Sequence, residues 1–173
     1  MDGDPKIVTE TYLETVHKRK EDWLKETLQK RIGASSHIDG YTITNLQLFS
    51  EADAPRHLFS VGDTVKLSFS VTIGATEGER SLAAIMKLER ADGLHITESR
   101  IALEHATDKR IFSCRTDLAN LCLGKGVYMI TVELHDLLSN QILAEAFTVA
   151  ELVNEHFPYG NPVTWQPAEW TIG

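Results

Sequence analysis

Glu133 and His135 stand two residues apart in 127–136, a run with apolar residues at every second position. Residues i and i+2 of an extended strand share a face. A carboxylate and an imidazole would therefore sit side by side, a pairing that can move a proton. The same phase sets them opposite Tyr128, Ile130, Val132 and Leu134, where a solvated surface pair is expected and catalysis is not. Other chemistry is sparse. His17, His37, His57, His95, His105, His135 and His156 form neither His-x-x-x-His nor a Cys/His cluster at metal-ligand spacing. No Gly-x-Ser-x-Gly elbow is present. Gly124-Lys125-Gly126 lacks the upstream glycine and following hydroxyl of a phosphate loop, and it precedes a strand, so it reads as a turn. Cys114 and Cys122 read as two reduced thiols filling apolar space. No catalytic residue, cofactor or metal is expected.

What remains is a polar sheet face. Placing apolar residues inward leaves Met129, Thr131, Glu133 and His135 outward on one strand, and Ser113 and Arg115 outward on the strand before it. In 82–90, Ala84, Met86 and Leu88 inward leaves Lys87 and Glu89 outward. Were these strands neighbours, Arg115, Lys87, Glu133, His135, Thr131 and Ser113 would form one shallow patch of donors and acceptors. Planar polar side chains suit sugar hydroxyls, and a cation suits an acidic substituent. An ordinary solvated face is the alternative.

The elements that would carry these residues follow from periodicity. The 173 residues suit one domain with appendages. The net charge of −8 repels phosphate backbones, so nucleic acid is not an expected partner. Thr11-Tyr12-Leu13-Glu14 fits a capping box, and a narrow apolar stripe (Tyr12, Val16, Trp23, Leu28) predicts a helix over 11–32. Ala34 to Gly40 is a small polar linker, and from Tyr41 the period becomes two. Strands are predicted over 41–48, 65–73, 82–90, 94–101, 110–118, 127–136 and 142–153. Asp92-Gly93 marks a hairpin and Val61-Gly62-Asp63 a tight turn. Seven strands with turns between them predict a mainly β, immunoglobulin-like antiparallel sandwich behind an N-terminal helix. The division is 1–40 for tail, helix and linker, and 41–173 for the sandwich. Its last stretch, 157–173, carries Trp165 and Trp170, which are costly to leave in water and must dock on this sandwich or on a neighbouring subunit. With no signal region and no apolar run of membrane-spanning length, a soluble, cytoplasmic chain is expected.

The order of features adds a family likeness. A helical lead-in and a strand precede Phe59-Ser60-Val61-Gly62-Asp63-Thr64-Val65-Lys66-Leu67. The Asp92-Gly93 hairpin follows, then Leu123-Gly124-Lys125-Gly126-Val127-Tyr128-Met129-Ile130-Thr131-Val132, and the chain closes in Pro162-Val163 and Pro167-Ala168-Glu169-Trp170. This resembles the C-terminal carbohydrate-binding domain of Wzt-type proteins, the nucleotide-binding subunits of bacterial ABC transporters that export O-antigen polysaccharide. The resemblance covers about 41–173, with the helix as linker. It implies non-catalytic recognition of the non-reducing end of a finished O-polysaccharide, capped or uncapped. It also implies a fragment of a longer protein whose ATP-binding domain precedes it, working with a transmembrane permease at the cytoplasmic face of the inner membrane. It further implies a homodimer in which the tail strand crosses to the partner, burying Trp165 and Trp170. The alternatives are a structural or protein-interaction sandwich and an accessory domain of a glycan-processing enzyme.

Overall fold

The computed structural model describes residues 8, 12, 15, 19, 26, 36–38, 40–74, 81–103, 110–153 and 168–172. Most of the segment read as a helix, 11–32, lies outside them, as do Trp165 and most of the tail.

Among the described residues ten strands run in the order β1 (Ser36–His37), β2 (Thr42–Phe49), β3 (Leu58–Ser60), β4 (Val65–Thr72), β5 (Leu82–Arg90), β6 (His95–Leu103), β7 (Ile111–Leu118), β8 (Gly126–Asp136), β9 (Gln141–Val153) and β10 (Glu169–Ile172). The seven strands expected from alternation are β2 and β4 to β9. They form a two-sheet sandwich. The larger sheet runs β6-β5-β8-β9, and both β1 and β3 pair with the far edge of β9. The smaller runs β10-β7-β4-β2. One pairing departs from the antiparallel expectation: β3 lies parallel to β9. No short turn joins these two strands, so none imposes a direction on them.

Alternation builds the core directly. Ala84, Met86 and Leu88 of β5 and Tyr128, Ile130, Val132 and Leu134 of β8 are buried from one sheet. Leu67, Phe69 and Val71 of β4 and Phe112, Cys114 and Leu118 of β7 are buried from the other. A fully buried aliphatic or aromatic side chain contributes roughly 1.5–3 kcal/mol. Slipping any of these strands by one residue would expose its whole set, so the register is fixed. Cys122 departs from expectation. It is exposed, because the irregular stretch around it turns Leu121 and Leu123 inward instead.

The turns hold as their residues predict. At Asp92-Gly93 the amide of Gly93 donates to the Arg90 carbonyl (2.8 Å), and the Asp92 carboxylate accepts from the Leu94 amide (3.2 Å). Gly93 has φ 90°, a conformation that costs glycine little. At the other turn Asp63 Oδ2 accepts from the Ser60 amide at 2.8 Å.

The side of the sandwich between β10 and β6 is closed by Trp170. Its ring meets Phe69 edge-on, with centroids 6.1 Å apart. Its indole Nε1–H donates to Ser99 Oγ of β6 at 2.7 Å, which joins the edges of the two sheets. β10 itself pairs antiparallel with β7, Glu169 opposite Asp117 through Ile172 opposite Cys114.

Candidate functional site

Four of the six residues singled out for a polar patch come together on the outer face of the larger sheet. β5 and β8 are neighbours, with Lys87 directly opposite Thr131 and Ile85 opposite Glu133. Lys87 Nζ donates to both oxygens of Glu133, at 2.7 and 2.8 Å. His135 Nε2 lies 2.6 Å from Glu133 Oε2, so the carboxylate gathers an ammonium and an imidazole from one strand pair.

The other two residues lie elsewhere. Ser113 and Arg115 sit on β7, which belongs to the smaller sheet and pairs with β4 and β10. The single six-residue patch therefore does not form. Alternation predicts which way a side chain points but not which strand lies beside which. Arg115 is also engaged already: its guanidinium pairs with Asp53, which Lys66 joins at 3.1 Å, and its Nε is 3.4 Å from Asp117.

Burial separates the roles on the larger face. The Glu133 side chain is only 8% exposed, against 29% for Lys87 and 15% for His135. The expected solvated Glu133–His135 pair is thus a nearly buried carboxylate under two more accessible donors. Burial by itself would raise the Glu133 carboxyl. The hydrogen bonds from Lys87, then from His135, outweigh it and hold Glu133 ionised below its ordinary range. The same bond raises Lys87 above the usual amine value, against an opposing effect of burial and with the fields of Glu133, Glu98 and Glu89 adding to it. Both groups are charged at neutral pH. An ionised Glu133 bound to two donors makes a rigid anchor and no proton donor.

Two rows cross this face. One runs Phe147–Thr131–Lys87–Glu98 over β9, β8, β5 and β6, and the next runs Glu145–Glu133–Ile85–Arg100. Phe147 and Glu145 were not singled out from the sequence, though their phase was readable. Leu143 aside, the buried side chains of β9 are Ala144, Ala146, Thr148, Ala150 and Leu152, which leaves Glu145, Phe147, Val149 and Glu151 outward. The row places the half-buried ring of Phe147 and the half-buried ammonium of Lys87 on either side of the buried Thr131. Among the described residues no group of three or more His, Cys, Asp or Glu could hold a metal ion.

No protein-family model and no curated protein matches the chain. Among solved structures it superposes on the C-terminal domain of Wzt with a TM-score of 0.59 at 9% identity, over 73% of this chain and 81% of that one. The likeness is one of fold. A β-glucuronidase of Bacteroides uniformis is matched at a TM-score of 0.47 and 13% identity, over 65% of this chain and 14% of the enzyme. A CARDB domain from Pyrococcus furiosus is matched at 0.43 and 13%, over 69% of this chain and all of that domain.

Proposed function

We propose that this domain is a non-catalytic module that binds the end of a polysaccharide on the outer face of its larger sheet. The observation that carries the reading is the row Phe147–Thr131–Lys87, with Glu133 fixing Lys87 and His135 from beneath. A sugar has an apolar face and a rim of hydroxyls. An aromatic ring next to oriented donors and acceptors is what such a ligand needs. The shared fold with the C-terminal domain of Wzt supports extending the reading to an O-antigen polysaccharide, exported by a transporter whose ATP-binding and permease parts lie in other segments or subunits. In the same reading the domain works at the cytoplasmic face of the inner membrane. Two copies associate by placing β10 of each on β7 of the other, since the pairing seen within one chain can equally be made between two.

Titration with purified O-polysaccharides by calorimetry tests the site. Lys87→Met and Phe147→Ala should each weaken binding about tenfold or more, the loss expected for one central contact. Arg115→Ala and Ser113→Ala, on the opposite face, should leave it within about twofold. The reverse pattern would move the site to the smaller sheet.

A protein-interaction module is the second reading. It is favoured by Leu137, Leu138 and Ile142, exposed together at the turn between β8 and β9, with Leu138 74% exposed. Absence of binding to any polysaccharide, at millimolar sugar, would leave that reading in place.

A further inference from the structure

The charges on the larger face bear on which glycans it accepts. Among the described residues, Glu89, Glu98, Glu133, Glu145 and Glu151 point outward from it, against the fixed cations Lys87 and Arg100 and the imidazoles of His95 and His135. Lys87, the cation at its centre, is not free to meet an anion: both oxygens of Glu133 already hold it. Arg100 lies at the rim on β6 with Glu98 two residues away on the same side of the strand. His95 Nδ1 is 3.7 Å from Glu89. A carboxylate or phosphate arriving here would have to break a two-oxygen ion pair while facing carboxylates on β5, β6 and β9. A hydroxyl or amide would meet neither cost. It could accept from the remaining N–H of the more accessible Lys87 while Glu133 stays paired.

We infer that the glycan end received on this face is uncharged, a neutral or N-acetylated sugar bearing no carboxylate or phosphate. This rests on the glycan-binding reading above. It reverses the expectation that Lys87 or Arg115 would serve an acidic substituent, since each is held by a carboxylate of the chain itself.

The test uses the full chain on an array of purified bacterial O-polysaccharides, some neutral and some carrying uronate or phosphate. Ligands should fall among the neutral ones. Their affinity, measured by calorimetry at about 0.05 and 0.5 M salt, should change less than about twofold, because no net charge is being paired. A ligand found only among the anionic polysaccharides, or an affinity that falls steeply with salt, overturns the inference while leaving glycan binding intact. Binding to none of them sinks the glycan reading and this inference with it. The variant Glu98→Gln/Glu145→Gln removes two carboxylates that flank Lys87 and Glu133 on β6 and β9 and leaves the Lys87–Glu133 pair in place. It should raise binding of the anionic polysaccharides by about fivefold or more through lost repulsion. Unchanged rejection by that variant also overturns the inference.

Discussion

Lys87 reaches Glu133 across a strand pair, and His135 meets the same carboxylate from two residues along β8. The pH dependence of the network follows from its two shifted groups. Glu133 is held below its ordinary value, so its contribution to stability is present above the unfolded carboxylate range and is lost as pH falls through the folded value. Lys87 is raised, so its contribution is present below the ordinary amine value and is lost only as pH rises through the higher folded one. Glu133→Gln should therefore lower the melting temperature at pH 7 by an amount equivalent to about 1–2 kcal/mol. The gap between variant and wild type should narrow as the pH falls below the ordinary carboxylate range toward the lower folded value of Glu133. A gap that stays constant from pH 7 to 3 would show that the carboxylate charge is not what stabilises the fold. At this scale the sequence was half readable. Period-two phase was enough to place Lys87, Thr131, Glu133 and His135 on one side of their strands. The Asp53–Arg115 pair had no such signal, because its members are 62 residues apart and meet only when β4 and β7 align beside the loop after β2.

Among the elements, the strands with at least eight residues of alternation were readable, β5 to the residue and the others to within two. β1 and β3, of two and three residues, were not. A stretch that short has no period, and each is made a strand by the edge of β9. Strand order was hidden for the same reason, since a phase says nothing about neighbours. β10 shows how one side chain completes an element. Four residues of strand give few hydrogen bonds, and Trp170 adds a ring contact to Phe69 and a bond to Ser99. Trp170→Ala should cost about 2 kcal/mol, less than a fully buried tryptophan because the ring is only partly covered. It should also speed hydrogen exchange in β7, whose outer edge would open. Ser99→Ala should cost about 1 kcal/mol with a smaller change in exchange. Normal protection of β7 in a folded Trp170→Ala protein would show that the ring does not hold β10 in place.

For the whole molecule, the question is whether β10 stays on its own sandwich or crosses to a second copy. If it crosses, light scattering should give twice the chain mass, and the melting temperature should rise with protein concentration. Removal of 157–173 should then leave a monomer with a concentration-independent melting point. A full chain that is monomeric at about 100 μM, well above the concentration range of stable dimers, would end the exchange proposal. β8 has a different kind of consequence. Its even-numbered residues from Tyr128 to Leu134 belong to the core, and its odd-numbered ones from Thr131 to His135 belong to the outer face. One stretch of chain thus carries two nearly independent inheritances. Descendants of this domain can change what they grip by drift at alternate codons of β8 and its neighbours while the intervening codons stay fixed by packing, so ligand preference can diverge long before the architecture does.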